Sequence, residues 1–172
     1  MKISKSLKIY THIILAFFLI NSLQANTKLL NNVVIHDKPI KINQLRFKDV
    51  NLQDVDLTGK KGNIMILNFW ASWCAPCRAE HKYLMKIKEK SNKLKILGVN
   101  FKDKEKDAKK FMEEFGNPYY FLAKDYDGRM SINFGIYGIP ESILVDKNLT
   151  IIKKFIGPIN HEDFNSILKL TR

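Results

Sequence analysis

Cys74 and Cys77 are the only cysteines of the chain, three positions apart in Trp73-Cys74-Ala75-Pro76-Cys77. Two thiols so spaced can pass between a dithiol and an internal disulfide, provided that one of them is reactive. The local backbone decides that reactivity. Ile64-Met65-Ile66-Leu67-Asn68-Phe69-Trp70 reads as a buried strand, apolar and ending in aromatics. From Pro76 to Lys90, Ala79, Tyr83, Leu84 and Ile87 recur at helical spacing. The pair therefore falls where a strand gives way to a helix, with Cys74 at the helix N-terminus and Pro76 in its first turn. Unpaired backbone N–H groups and the positive end of the helix dipole favour a thiolate there. A cysteine in that setting drops from a pKa near 8.5 into a range of roughly 3.5 to 7.5. An exposed Cys74 would attack a partner disulfide, and Cys77 would resolve the mixed disulfide.

Three other uses of the pair are weaker. A structural disulfide would close a tiny loop and constrain little. Zinc requires about four ligands, and the chain has no second cysteine pair. His81 shares the helical face of Cys77 four residues on, so a Cys–Cys–His cluster is conceivable, but it lacks a ligand. Two inert buried thiols would leave the helix-start placement unexplained. No metal and no cofactor beyond the cysteine pair is expected.

Around this pair the chain reads as alternating strands and helices. Val33-Val34-Ile35 and residues 40–47 look like short strands, and residues 54–63 like a turn-rich approach containing Gly59 and Gly62. After the strand over 64–70 and the helix over 75–90, residues 94–101 form a second buried strand. Residues 104–115 make an amphipathic helix, with Ala108, Phe111, Met112 and Phe115 inward, closed by Gly116 and Pro118. A third strand is expected over 119–122 and a short helix over 130–134. Strands over 142–145 and 150–156 follow, joined across Asp146-Lys147-Asn148, and a closing helix spans 161–170. This order implies an α/β fold, a mixed sheet with helices on both faces.

Composition sets outer limits. The 172 residues are 45% hydrophobic with 11 Phe, 6 Tyr and 2 Trp, enough for one cored domain plus an appendage. Twenty-nine Lys and Arg against 17 Asp and Glu give a net charge of +12. The lysines are interleaved with acids, as in Lys102-Asp103-Lys104-Glu105-Lys106-Asp107, and no zinc-finger, RNP-like or Gly-rich phosphate motif accompanies them. The charge therefore reads as a solvated surface, with no nucleic-acid partner.

The appendage is N-terminal. Lys2, Lys5 and Lys8 precede the apolar run Ile13-Ile14-Leu15-Ala16-Phe17-Phe18-Leu19-Ile20, and Ser22-Leu23-Gln24-Ala25 is an imperfect small-x-small cleavage site. Residues 1–26 are expected to be a signal peptide or a retained inner-membrane anchor, and residues 27–172 the folded domain. Both possibilities place the body outside the cytoplasm, in the periplasm or on the extracytoplasmic side of the inner membrane.

A second motif, Gly138-Ile139-Pro140-Glu141, lies directly before a predicted strand, with Pro140 63 residues beyond Cys77. A proline in that position can be cis. A cis bond would turn the Ile139 backbone outward, offering N–H and C=O groups to an extended peptide.

Asn68-Phe69-Trp70-Ala71-Ser72-Trp73-Cys74-Ala75-Pro76-Cys77 together with Gly138-Ile139-Pro140 resembles the thioredoxin superfamily, among its members the TlpA, ResA and CcmG/DsbE thiol:disulfide reductases. Cys77-Arg78-Ala79-Glu80-His81 and Gly135-Ile136-Tyr137-Gly138-Ile139-Pro140-Glu141-Ser142 look like the CcmG/DsbE branch. The resemblance covers about residues 60–170. It implies a thioredoxin-like fold with an extra strand and helix between the motifs, and a reductant in an oxidising compartment. Its clients would be the haem-binding cysteines of apocytochrome c or a cytochrome c maturation thiol protein. Its own electrons would come from a membrane donor of the DsbD/CcdA kind. A general TlpA/ResA-type reductase shares the chemistry with another client. A metal-carrying CxxC module is more remote, and a DsbA-like oxidase would carry a large helical insertion for which the segment between the motifs is too short.

On this chain the resemblance makes Cys74 the nucleophile and Cys77 the resolving thiol, with Trp73, Ile139 and Pro140 lining the docking groove. Thioredoxin carries an acid where this chain has Asn68. Glu80 and Glu141 resemble acidic positions of the CcmG branch, and one of them, partly buried with a raised pKa, is expected to exchange protons with the thiol. The opposing possibility is a surface carboxylate paired with a neighbour such as Arg78 or Lys82.

Overall fold

A computed structural model describes residues 33–34, 41–42, 46–49, 53–56, 58 and 63–171. The expected signal or anchor segment, residues 1–26, lies outside them, as do Ile35, Gly59 and Gly62. No helix among the described residues is long and apolar enough to cross a membrane.

Among the described residues, eight strands and four helices follow in order: β1 (Val33–Val34), β2 (Arg46–Lys48), β3 (Asp54–Asp56), β4 (Ile64–Trp70), α1 (Ala75–Lys90), β5 (Leu94–Phe101), α2 (Glu105–Phe115), β6 (Phe121–Asp125), α3 (Arg129–Asn133), β7 (Glu141–Val145), β8 (Ile151–Ile156) and α4 (His161–Leu170). Six strands form one mixed sheet in the order β1-β8-β7-β4-β5-β6. β4, β5 and β6 run parallel, whereas β7 is antiparallel to β4 and to β8. The parallel strands are joined through α1 and α2, as parallel neighbours require.

β4 sits at the centre with both faces covered, which is why its sequence is a continuous apolar run. Side chains alternate between the faces. Ile66 and Trp70 join Leu84 and Ile87 of α1, Phe111 of α2 and Phe164 of α4 in one core. Met65, Leu67 and Phe69 join Leu97, Val99 and Phe47 in the other. Asn68 has the parity of Ile66 and Trp70, so the one polar residue of the strand points to the side on which α1 packs. That placement builds the buried part of the site. The two faces are not covered alike. The longer helices lie in the first core, while the second is closed by Met130, Ile136 and Val55, from the α3 segment and the β2–β3 hairpin.

Three expectations are corrected. Residues 54–63 are not only turn, since Asp54–Asp56 pairs with Arg46–Lys48 as a two-stranded ribbon. Residues 40–47 do not make one strand, since Lys41 forms an isolated bridge to Thr150 and Ile42 belongs to no strand, whereas Arg46–Lys48 is a strand. The third strand runs from Phe121 to Asp125 rather than from Tyr119 to Leu122. Tyr119 is drawn into the core beside Gly98, whose added Cβ would lie 2.7–2.9 Å from the Tyr119 ring. A side chain at position 98 would exclude the ring, so the glycine makes room for it.

Candidate active site

α1 opens at Cys74. The cysteine is its N-cap, in an extended conformation, and the Cys77 N–H donates to Cys74 Sγ at 3.2 Å. Pro76 lies in the first turn, where its missing N–H costs no helical bond. The two cysteines are joined as a disulfide with their Cα atoms 5.3 Å apart. The exposed Cys74 expected from the sequence is corrected: Cys74 is 4% exposed and Cys77 3%. What projects from this turn is Trp73, 59% exposed, whose indole N–H donates to the Lys102 carbonyl at 3.3 Å.

The turn before Cys74 is held from the β5–α2 connection. Asp103 accepts from the Ser72 backbone N–H at 2.6 Å, the Ser72 hydroxyl at 2.8 Å and Asn100 Nδ2 at 2.9 Å. Lys124 reaches up from β6, donating to Asn100 Oδ1 at 2.8 Å and to the Asp103 carbonyl oxygen. Burial lowers the Lys124 pKa, opposed by the nearby Asp103 and Glu105 charges. Arg78, from α1, donates to the Ser72 carbonyl at 2.9 Å. Every polar group of the turn named here has a partner, so the loop presenting Cys74 is fixed before any client arrives. The sequence reading missed this cluster; its only signal was Asn100 inside an apolar strand.

The Gly138–Glu141 segment comes against the cysteines from the other side. The Ile139–Pro140 peptide bond is cis, and the Ile139 carbonyl oxygen lies 3.7 Å from Cys74 Sγ. Pro140 is buried and Ile139 half-buried. The structure thus brings Trp73, Ile139 and Pro140 into the surroundings of Cys74. Glu141 is buried beneath this loop. Its Oε1 accepts from the Tyr137 and Gly138 backbone N–H groups at 3.1 and 3.0 Å, and its Oε2 pairs with Lys154 at 2.8 Å.

Glu80 lies one helical turn beyond Cys77, and it does not meet Arg78 or Lys82. It is 1% exposed, and Asn68 Nδ2 donates to its Oε1 at 2.8 Å while the Ile159 backbone N–H donates to its Oε2 at 2.8 Å. Burial pushes its pKa up from 4.5 to about 7, against the lowering effect of those two hydrogen bonds. Asn68 also donates to Ser142 Oγ at 3.0 Å and accepts from the Tyr119 hydroxyl at 2.9 Å. Burial, and then the Glu80 charge, keep that phenol protonated far into the alkaline range. A chain of Tyr119, Asn68 and Glu80 thus runs through the core behind the cysteine helix, and the residue standing in thioredoxin's acidic position connects it.

His81 has another use than metal ligation. Its Nε2 donates to the Gly116 carbonyl at 2.9 Å, and its ring packs edge-on to Phe111 at 4.8 Å. Among the described residues no three His, Cys, Asp or Glu side chains are grouped to hold a metal. Two clefts flank the site. One of about 540 Å³ is lined by Ser72, Trp73, Arg78, Lys102 and Lys104. A larger one, about 1260 Å³, is lined by Arg46, Lys124, Tyr126, Phe134, Tyr137 and Lys154 among others. Neither cysteine lines either cleft, but Ser72 and Trp73, next to Cys74 in the chain, line the smaller.

A disulfide at a helix start facing a cis-proline on a central mixed sheet defines a thioredoxin-like protein. The chain belongs to the redoxin family, which matches residues 28–170. It is 44% identical over 98 residues to the thiol:disulfide interchange protein CycY of Rhizobium leguminosarum bv. viciae, across 57% of this chain and 52% of that protein. It is 32% identical over 166 residues to the thiol:disulfide interchange protein DsbE of Vibrio cholerae, across 90% of this chain and 88% of that one. A crystal structure of a putative DsbE from Chlorobium tepidum superposes with a TM-score of 0.63 at 30% identity, over 78% of this chain and 95% of the other. The match spans about half the length of the first of these relatives.

Proposed function

We propose that this protein is an exported thiol:disulfide oxidoreductase working as a reductant, which keeps the haem-binding cysteines of apocytochrome c, or of a maturation partner, in the thiol state. The observation that carries the reading is Cys74 capping α1 with its sulfur 3.2 Å from the Cys77 N–H, a geometry that holds negative charge on Sγ once the disulfide opens. The thiolate attacks a client disulfide, forming a Cys74–client bond and releasing one client thiolate. Cys77, deprotonated, attacks Cys74 Sγ and releases the second client thiolate. The client disulfide has gained two electrons, and the protein is left with the Cys74–Cys77 disulfide seen here. A membrane dithiol donor of the DsbD/CcdA kind returns the pair to the dithiol.

Trp73, Ile139 and Pro140 form the docking surface in this reading, the Ile139 backbone pairing with an extended client. Glu80, poised to titrate near neutrality, takes the proton-handling role beside Cys77. The body faces the extracytoplasmic side, with residues 1–26 acting as signal or anchor. The kinship with proteins named thiol:disulfide interchange proteins supports the chemistry. The client and donor rest on the CcmG/DsbE-like strings around Cys77 and Pro140. The test is the reduction potential of the pair, equilibrated against a thiol redox buffer. A value below about −200 mV supports an exported reductant, and one near the roughly −120 mV of DsbA would make the protein a disulfide donor and overturn the reading.

A further inference from the structure

We propose that Lys124 is a positioning residue for the redox reaction, acting on Cys74 through Asn100 and Asp103. Its buried ammonium offsets the carboxylate that holds the turn before Cys74, so that an acid can fix the turn without driving the Cys74 thiolate back to the thiol. The inference rests on the oxidoreductase reading above. Its basis is two charges that the fold buries together, Lys124 at 3% and Asp103 at 9% exposure. The hydrogen-bond acceptors of the Lys124 ammonium are neutral, Asn100 Oδ1 at 2.8 Å and the Asp103 carbonyl oxygen. The Tyr126 ring closes over it, with the centroid at 5.1 Å. The donors to the Asp103 carboxylate are neutral as well, the Ser72 N–H and hydroxyl, Asn100 Nδ2 and the Lys104 N–H. The Asn100 amide joins the two charges, its oxygen on Lys124 and its nitrogen on Asp103.

Burying an ammonium is costly, and burial lowers the Lys124 pKa while the Asp103 charge raises it. Two buried charges stabilise no more than apolar packing of the same volume, so stability gives no reason for a lysine here. The reaction gives one. Asp103 fixes Ser72, two residues before Cys74. Two residues of chain span no more than about 7 Å, which places the carboxylate within about 10 Å of the Cys74 backbone. A unit charge about 10 Å away moves the pKa of a thiol by roughly 0.3 in water and roughly 1.2 at an effective dielectric of about 20. The sign is unfavourable, because a carboxylate disfavours the thiolate on which attack depends. Lys124 brings the opposite charge to the same loop from β6. Other charged groups stand on the elements around the turn: Arg78 and Glu80 of α1, Glu105 of α2, and the Glu141–Lys154 pair of β7 and β8. These are common to every variant compared and cancel in the differences.

The experiment titrates the reduced protein through the ultraviolet absorbance of its thiolate, in the wild type, Lys124→Met, Lys124→Arg, Asp103→Asn and the Asp103→Asn/Lys124→Met double variant. Lys124→Met should raise the Cys74 pKa by about 0.5, and at about pH 8 should move the equilibrium with glutathione up to about threefold toward the protein disulfide. Lys124→Arg should stay within about 0.2 of wild type, since the charge is kept. Asp103→Asn should lower the pKa by about 0.5, and the double variant should return to within about 0.2 of wild type. A turn merely loosened by the loss of Lys124 would keep its raised pKa in the double variant. That result overturns the proposal, as does an unchanged pKa in Lys124→Met. Should Lys124→Met fail to fold, Asp103→Asn decides alone: an unchanged pKa there means that no charge needs offsetting, and overturns it. A wild-type dithiol that does not reduce glutathione disulfide overturns the oxidoreductase reading instead, and the role of Lys124 with it.

Discussion

Replacing Glu80 with glutamine isolates the cost of burying its charge. In the folded protein this carboxyl titrates near 7, against 4.5 ordinarily, because it is buried. Between those two values the folded state binds a proton that the unfolded state has released. Stability therefore falls as pH rises through this window, and levels off once the group is ionised in both states. At 1.36 kcal/mol per pH unit the full loss is about 3 kcal/mol. Glu80→Gln removes the titration and adds a fault, since its amide NH₂ must face a donor, either Asn68 Nδ2 or the Ile159 N–H. That fault costs about 1–2 kcal/mol. The variant should thus be the less stable protein at pH 4.5 and should gain about 3 kcal/mol relative to wild type by pH 8. Urea unfolding of the oxidised proteins across that range measures it, with both cysteines locked in the disulfide and unable to titrate. His81, whose pKa burial lowers, also changes stability with pH, but it does so in both proteins and cancels in the difference. A difference that stays constant from pH 4.5 to 8 would refute the argument.

Three further outcomes are expected. Cys77→Ala should accumulate a stable mixed disulfide between Cys74 and a client, seen as a mass adduct that dithiothreitol removes, whereas Cys74→Ser should form none. Asp103→Ala should cost about 3 kcal/mol in denaturant unfolding, because Ser72, Asn100 and Lys104 lose their shared acceptor; a loss under about 1 kcal/mol would show that the turn before Cys74 holds without it. Gly98→Ala should cost roughly 1–3 kcal/mol and displace Tyr119 from Asn68, since its methyl would sit 2.7 Å from the ring; a crystal structure with Tyr119 unmoved would contradict this.

Local chemistry made much of the molecule legible in the sequence. β4, α1, β5 and α4 occupy the residues that apolar pattern and helix-start signals assign to them, because each carries its own periodicity and its own caps, down to the Asn160 capping box that opens α4. The cysteine pair at a strand-to-helix junction follows from the same local rules, as does a proline able to be cis before a strand. Tertiary structure decided the rest, wherever a residue's state depends on what chain-distant elements bring to it. Resemblance alone singles out Glu80 in the sequence as a proton carrier, since its local neighbours Arg78 and Lys82 equally allow a surface carboxylate. Glu80 becomes a buried group titrating near 7 only because Asn68 faces α1 from β4 and the chain entering α4 lays the Ile159 amide against it. Glu141 reads as a candidate proton carrier, and only the tertiary structure pairs its buried carboxylate with Lys154 across two antiparallel strands. The start of β6 moved from Tyr119 to Phe121 because the space beside Gly98 took the aromatic ring, a choice that no pattern within residues 119–125 encodes. Periodicity tells a segment which face to bury. Only the neighbours it is buried against determine the charge, the partners and the reach of the polar groups that go with it.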